Sequence, residues 1–317
     1  MTKSDSTTSN QAWSVPGRRL LSLRRYNSFI YLRLKRKVGL DYSFQPPSRS
    51  DVPIDLFIPA IEKDAVMLDL ALDYAKTNIL HPIKHIYIIG PAKSKHLRQI
   101  AERHKAQFVE EETVLGFPKE DVDYIVGNLN RNGWIYKMLI NFAADTISQS
   151  RYILIHDADT CFIAPQVFLH RNRPLFNLSN EYNQEYFDAT ERLLGIKHHT
   201  SRSFTTHYML FDAEVLKSMR AAIETRWHRP WYRAIIDNID KTKESGFSDY
   251  ETYGDYYLTC DQPKPIFNYW SNESLTIDSL RDIKQIITDA APYFRSVSFH
   301  NYQPSYMSHA KGKSKAL

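Results

Sequence analysis

From Ile54 onward, short apolar runs alternate with stretches whose apolar residues recur every three or four positions. This is the pattern of β-α-β units around a mostly parallel sheet. Strands are expected at 54–60 (IDLFIPA), 85–91 (HIYIIGP), 107–111 (QFVEE) and 151–157 (RYILIHD), with helices at 65–78, 94–104 and 134–148. After the fourth strand come a polar, aromatic region, a helix over 181–194, a strand at 206–212 (THYMLFD) and two helices around 213–240. The segment 247–261 (FSDYETYGDYYLTCD), a helix at 278–288 and a strand at 296–300 (SVSFH) complete the series. No internal repeat and no glycine-rich phosphate loop interrupts it. The pattern places one α/β domain at 51–310, followed by a lysine-containing tail at 311–317.

The residues upstream read differently. Residues 1–17 are rich in Ser, Thr, Asn and Gln and read as disordered. Over 18–38, Leu20, Leu23, Ile30, Tyr31, Leu34 and Val38 share one helical face, with Arg18, Arg25, Arg33 and Arg36 opposite. A run with three prolines (DYSFQPPSRSDVP) then reads as a linker. Residues 1–50 hold ten Lys or Arg against two Asp, which is +8; the whole-chain charge of +5 leaves −3 for the remainder. A basic arm on a slightly acidic body points to a partner for the arm: an anionic membrane surface fits an amphipathic helix, and packing of its apolar stripe on the catalytic domain fits equally. Nucleic acid does not fit, because the body offers no matching basic surface. No stretch approaches the roughly 18 apolar residues of a membrane span, and the polar start lacks the order of a signal peptide. Two cysteines, Cys161 and Cys260, build neither a disulfide framework nor a structural zinc site. The expected location is cytoplasmic, peripheral at the inner face of the membrane.

The chemistry concentrates where the fourth strand ends in Asp157-Ala158-Asp159. Alternate residues of an extended chain project the same way, so both carboxylates are expected to leave the sheet together. Paired carboxylates repel unless a cation lies between them, and hard oxygen ligands at the carboxyl end of a strand suit Mg²⁺ or Mn²⁺ bridging to phosphates. The same tripeptide also serves as a solvated turn closing a strand. After an apolar strand it further resembles the first motif of haloacid-dehalogenase-like phosphatases, with Asp157 as nucleophile and Asp159 as acid. That motif normally ends the first strand of its domain, however, and Gly254-Asp255 with Asp261 has one residue too many for its usual companion. A non-catalytic membrane-surface protein on a transferase fold is a third reading, suggested by the arm alone.

The order of several further motifs carries a resemblance. Asn130-Arg131-Asn132-Gly133-Trp134-Ile135-Tyr136-Lys137, then the Asp157/Asp159 strand with Ala164-Pro165, then 203–212 (SFTTHYMLFD) and 247–254 (FSDYETYG), resemble a bacterial family of GT-A-like glycosyltransferases of the DUF6492 type. The resemblance runs from about Ile54 to His300. Lys137, Met138 and Asn141 depart from it, standing where glutamines and a lysine are expected.

The resemblance implies a GT-A fold: a Rossmann-like mixed sheet flanked by helices, acting as a hexosyltransferase-like enzyme. Its donor would be a nucleotide sugar, a UDP-sugar foremost, and its acceptor a glycan or lipid-linked or growing polysaccharide. Pro59, Ala60, Lys63 and Asp64 would border the base and ribose. Arg131 and Lys137 would neutralise the diphosphate, although Lys137 also suits an exposed helix position. Trp134 would be a stacking platform or a core residue. Related families supply a third metal ligand from a histidine near the carboxyl end, here His300, beside Asp157 and Asp159. His207, before an apolar strand, would face the acceptor or sit satisfied in the core. Asp249 and Glu251 are the candidate general bases; extended, they share a face, whereas on a helix only one points into the site.

Overall fold

The computed structural model describes residues 34, 48–198, 200–276 and 283–300. Apart from the helical, exposed Leu34, the expectations for the arm and those for the tail lie outside the described residues.

The strands are β1 (Ile54–Pro59), β2 (Ile83–Gly90), β3 (Gln107–Glu110), the short hairpin β4 (Ile125–Val126) and β5 (Leu129–Asn130), β6 (Tyr152–His156) and β7 (Thr160–Phe162). They continue with β8 (Leu169–His170), β9 (Arg173–Leu178), β10 (Tyr208–Asp212), β11 (Ile266–Tyr269), β12 (Asn272–Thr276) and β13 (Ser296–His300). The central sheet has the order β10-β6-β1-β2-β3. β6, β1, β2 and β3 run parallel, and β10 lies antiparallel along β6.

Because side chains alternate across a strand, this sheet is apolar on both faces. Leu56, Ile58, Ile88, Leu154 and Leu210 pack on one side with Leu68 and Leu72 of the helix Ala65–Asn78 and Leu97 of the helix Lys95–His104. Phe57, Ile89, Ile153, Ile155, Met209 and Phe211 pack on the other with the helices Asn132–Phe142, Ala213–Trp227 and Asp249–Thr259. A mixed α/β sheet flanked by helices is thus the architecture, as the apolar runs imply. β1 lies between β2 and β6, so the chain turns to opposite sides from it. The carboxyl ends of β1 and β6 therefore border the topological switch point, where open α/β sheets place ligands.

Two small sheets complete the site. β7 pairs antiparallel with β13, opposing Thr160 to Ser298, and the Phe299 N–H donates to the Asp159 carbonyl at 2.9 Å. That pairing sets the end of β13 beside Asp159. β9 pairs with β11, and Ser179 just beyond β9 bridges to Ser203, bringing the following residues toward β10.

The structure differs from the sequence pattern in places. The helix expected at 134–148 ends at Phe142 and gives way to a 3₁₀ turn at Ala144–Thr146. The helix expected at 278–288 is described as Ile283–Ala290. The 247–261 segment is helical over Asp249–Thr259, capped by the Ser248 side chain, which accepts from the Glu251 N–H.

Candidate active site

Asp157 does not continue the strand. The chain turns at Ala158 and Asp159, closed by the Thr160 N–H donating to the Asp157 carbonyl at 3.2 Å. The extended geometry expected for the acidic pair is therefore replaced by a turn between two sheets. This still leaves both carboxylates at the carboxyl edge of β6.

The Asp157 carboxylate is engaged on both oxygens. Oδ1 accepts from Lys137 Nζ at 2.5 Å and from the Tyr250 hydroxyl at 3.2 Å, and Oδ2 faces His207 Nδ1 at 3.0 Å. A carboxylate can only accept, so Nδ1 of His207 carries the proton. Burial alone would raise the Asp157 pKa, but the Lys137 charge, then the His207 hydrogen bond, hold it far below the usual carboxylate range. Burial would likewise lower Lys137 and His207; Asp157 reverses both, and both stand above their ordinary values. Lys137, a natural exposed position in the sequence, is instead the direct counter-ion of Asp157, with its side chain 35% exposed. The departure from the family pattern thus lies at a charged centre of the site.

His207 grips Asp157 a second time, its carbonyl accepting the Asp157 N–H at 2.9 Å. It does so with φ at +60°, a left-handed conformation that costs a non-glycine residue about 1–3 kcal/mol and is held here by the surrounding structure. Its ring lies 4.9 Å from that of His300 and 5.1 Å from Trp270, and its Nε2 is buried without a hydrogen-bond partner. His300 in turn places Nδ1 3.2 Å from Asp159 Oδ2. Asp157, His207, His300 and Asp159 therefore form a connected chain from β6 through β10 and β13 back to the turn.

Two more carboxyls face this chain. Glu181 follows β9; burial raises its pKa, while the His207 and His300 rings oppose that rise. No motif marks it in the sequence beyond its place in the polar stretch after β9. Asp64 caps the turn after β1, accepting the Ile61 N–H at 2.9 Å; burial raises it, and Asp159 and Lys137 lie within electrostatic reach.

The helix separates the two candidate bases, since two residues at about 100° each point in opposed directions. Asp249 is 2% exposed and accepts from Asn141 Nδ2 at 2.6 Å. Burial, offset in part by Lys137, raises it to about 6. Glu251 is directed elsewhere. Its Oε1 accepts from the Ser203 hydroxyl and from the Phe204 N–H at 2.7 Å, and the residue has no exposed surface. Glu251 is thus a buried anchor for the segment before β10.

The remaining candidates divide. Pro59 and Ala60 are buried at the end of β1, with the Ala60 N–H donating to the Ile89 carbonyl at 2.8 Å. Lys63 is exposed. Arg131 lies over Trp134, its guanidinium carbon 4.1 Å from the ring centroid. Trp134 packs against the core beside Tyr124 and Tyr186, at 6.2 and 6.4 Å between ring centroids, so the core role prevails.

Of the expected ligands, Asp159 and His300 are spaced as a cation would need, while the Asp157 carboxylate is turned to Lys137, Tyr250 and His207. The 3.2 Å between Asp159 Oδ2 and His300 Nδ1 is close to the roughly 3 Å separating adjacent ligands on an octahedral ion with bonds of about 2.1 Å. Carboxylates with an imidazole suit Mn²⁺ as well as Mg²⁺.

No curated protein sequence matches this chain. Among solved structures, mouse xyloside xylosyltransferase 1 in its apo form is similar, with 10% identity and a TM-score of 0.46, covering 80% of this chain and 99% of that one. The galactosyltransferase LgtC with donor and acceptor sugar analogues is similar with 10% identity and a TM-score of 0.39, covering 83% and 97%. An active-site mutant of LgtC gives 12% identity, with the same TM-score of 0.39 and the same coverage of 83% and 97%. The sequence profile described as a family of unknown function (DUF6492) matches residues 60–314, and the chain belongs to that family.

Proposed function

We propose that this protein is a GT-A-type glycosyltransferase that moves a sugar from a nucleotide-diphosphate donor, foremost a UDP-sugar, to a glycan or lipid-linked acceptor. One observation carries the reading. An acidic turn at the switch point of the sheet pairs Asp159 with His300 and Asp157 with Lys137 and His207, so anionic ligands and a cation converge at one edge.

Asp157, Asp159 and His300 would hold Mn²⁺ or Mg²⁺, which when bound supplies Lewis-acid stabilisation of the leaving diphosphate. Lys137 brings a fixed positive charge to the same edge, where it would pair with phosphate oxygens of the donor. His207 orients Asp157 through its backbone and its ring. Asp249, raised to about 6, sits behind Lys137 and is the acid able to receive a proton from an acceptor hydroxyl. Glu181, facing the imidazole pair, lines the acceptor side. Pro59, Ala60, Lys63 and Asp64 border the base and ribose, with Arg131 and Trp134 at the periphery.

The phosphatase reading fares worse, because its acidic motif normally closes the first strand of its domain, whereas β6 follows β1, β2 and β3 of the same sheet.

Calorimetry with UDP tests the proposal. Binding is expected with Mn²⁺ and lost with chelator, and Asp159→Ala is expected to remove the metal dependence. Equal affinity in chelator, or an unchanged metal response in Asp159→Ala, would refute it.

A further inference from the structure

A second cluster of ligand groups lies under the segment that delivers His207. The helix Asp249–Thr259 presents Glu251 and Asp255 one turn apart, both without exposed surface, and His198 reaches them from the chain after the helix Gln184–Leu194. His198 Nδ1 lies 3.0 and 3.1 Å from the two Asp255 carboxylate oxygens and 3.9 Å from Glu251 Oε2. One ligand atom from each of the three residues falls within 4.8 Å of the others. The imidazole side chain is 6% exposed, and its ring stacks on Phe187 at 3.9 Å between centroids.

The hydrogen bonding fixes what Nδ1 can be. Nε2 lies 2.8 Å from the Arg202 carbonyl, which can only accept, so Nε2 carries a proton. A neutral ring then turns the Nδ1 lone pair toward two buried carboxylates, an arrangement of acceptors only. That arrangement is relieved by a second proton on the ring, by a proton on Glu251, or by a metal ion. A proton on Nδ1 bonds Asp255 and leaves Glu251 Oε2 as it is found, buried without a hydrogen-bond partner. An unpaired buried carboxylate oxygen is costly, whereas a metal ion satisfies all three groups at once.

We propose that His198 Nδ1, Glu251 Oε2 and Asp255 form a structural site for a divalent transition metal, Zn²⁺ foremost, separate from the Asp157–Asp159–His300 set. Two ligands one turn apart on a helix and a histidine from another segment form a common zinc constellation, and the Nε2–H bond to a carbonyl is the outer contact that orients a ligating imidazole. The imidazole nitrogen favours a transition metal over Ca²⁺, and Zn²⁺ is the one that accepts a small tetrahedral set. Tetrahedral Zn²⁺ with bonds of about 2.1 Å wants its ligands about 3.4 Å apart, so rotation of the carboxyl groups suffices to close the set. Without the metal, burial pushes Glu251 up to about 7, so that a proton takes the place of the ion.

The site bears on activity through what it joins. The segment 198–207 ends at His207, and the helix carrying Glu251 and Asp255 begins with Asp249 and Tyr250. An ion bound there ties together the two segments that grip Asp157 and Lys137.

The test uses the full chain carrying Asp159→Ala and His300→Ala, which removes the proposed donor cation site, after chelator treatment. Calorimetry with Zn²⁺ is expected to give one equivalent with micromolar or tighter affinity and a raised Tm. Adding Asp255→Asn or His198→Gln should weaken it at least 100-fold, with circular dichroism confirming the fold of each variant. Absence of Zn²⁺ binding in the natively folded double variant, or equal binding after either added change, overturns the proposal. If both added changes prevent folding, X-ray absorption of the Zn²⁺-loaded double variant decides: one imidazole with carboxylate oxygens supports the site, and any other imidazole count overturns it. None of these outcomes depends on UDP binding, so failure here and failure of the transferase reading are separable.

Discussion

Replacing Glu251 by glutamine isolates the cost of keeping a carboxyl group where no water reaches it. The side chain has no exposed surface, and its pKa is raised from 4.5 to about 7, mainly by burial, with His198 opposing the rise. A raised folded-state value means that stability is fully present below the unfolded value and lost as pH rises through the folded one. At 1.36 kcal/mol per pH unit, the metal-free protein should lose about 3 kcal/mol between pH 4.5 and pH 8 through this residue. Glu251→Gln keeps an oxygen for the Ser203 hydroxyl and the Phe204 N–H, and places an amide N–H₂ toward Asp255. It carries no charge to lose. Part of the gain is offset because His198, also held above its ordinary value despite burial by its hydrogen bond to Asp255, loses a neighbouring carboxylate. Urea unfolding in chelator at pH 5 and pH 8, followed by circular dichroism, should therefore show the variant gaining about 2–3 kcal/mol on the parent between the two conditions. A difference between the proteins that is the same at both pH values, or that moves against the variant at pH 8, would refute the burial argument.

Asp249→Asn should lower turnover roughly 100-fold while leaving donor affinity nearly intact, as for a lost base; parent-like turnover would remove Asp249 from that role. Lys137→Met should raise the Kd for UDP in the presence of Mn²⁺ about tenfold or more, because Asp157 loses its counter-ion and the diphosphate loses a cation; unchanged affinity by calorimetry counts against the assignment. The full chain should co-sediment with anionic vesicles and the chain starting at Asp51 should not, given eight Lys or Arg and no acidic residue in 18–38 and about 1 kcal/mol per basic residue near such a surface. Equal pelleting of the two would end the membrane role.

The sheet was legible because it is apolar on both faces. β1, β2 and β6 are runs that no amphipathic helix would produce, and the helices between the strands keep a three-to-four residue spacing. The short strands were not legible, since β7 and β9 are held by partners far along the chain and β8 is a two-residue hairpin arm on β9. Thr160 opposite Ser298 is a pairing that no local pattern announces. Of the site, the acidic turn and His300 could be found, the first from its strand and the second by resemblance. For Lys137 an exposed position and a place at the site fit the sequence alike, because a lysine on a helix is usually exposed and the carboxylate that claims it lies twenty residues away. Glu181 carried no motif at all.

The pair Asp249 and Glu251 shows why motif reading stops where secondary structure decides function. An extended segment would send both carboxylates into the site, and the spacing alone permits it. Ser248 caps the segment as a helix, and from then on the two residues serve different ends. Asp249 meets Asn141 and the field of Lys137, while Glu251 turns beneath the segment that brings His207 to Asp157. The close approach of that segment needs Gly254, since a Cβ there would overlap the Phe204 ring. One helix thus sets Asp249 beside the proposed reactive edge and fastens the segment that leads to His207 and Asp157. A change at Glu251 reaches the site through His207, whereas a change at Asp249 reaches it directly.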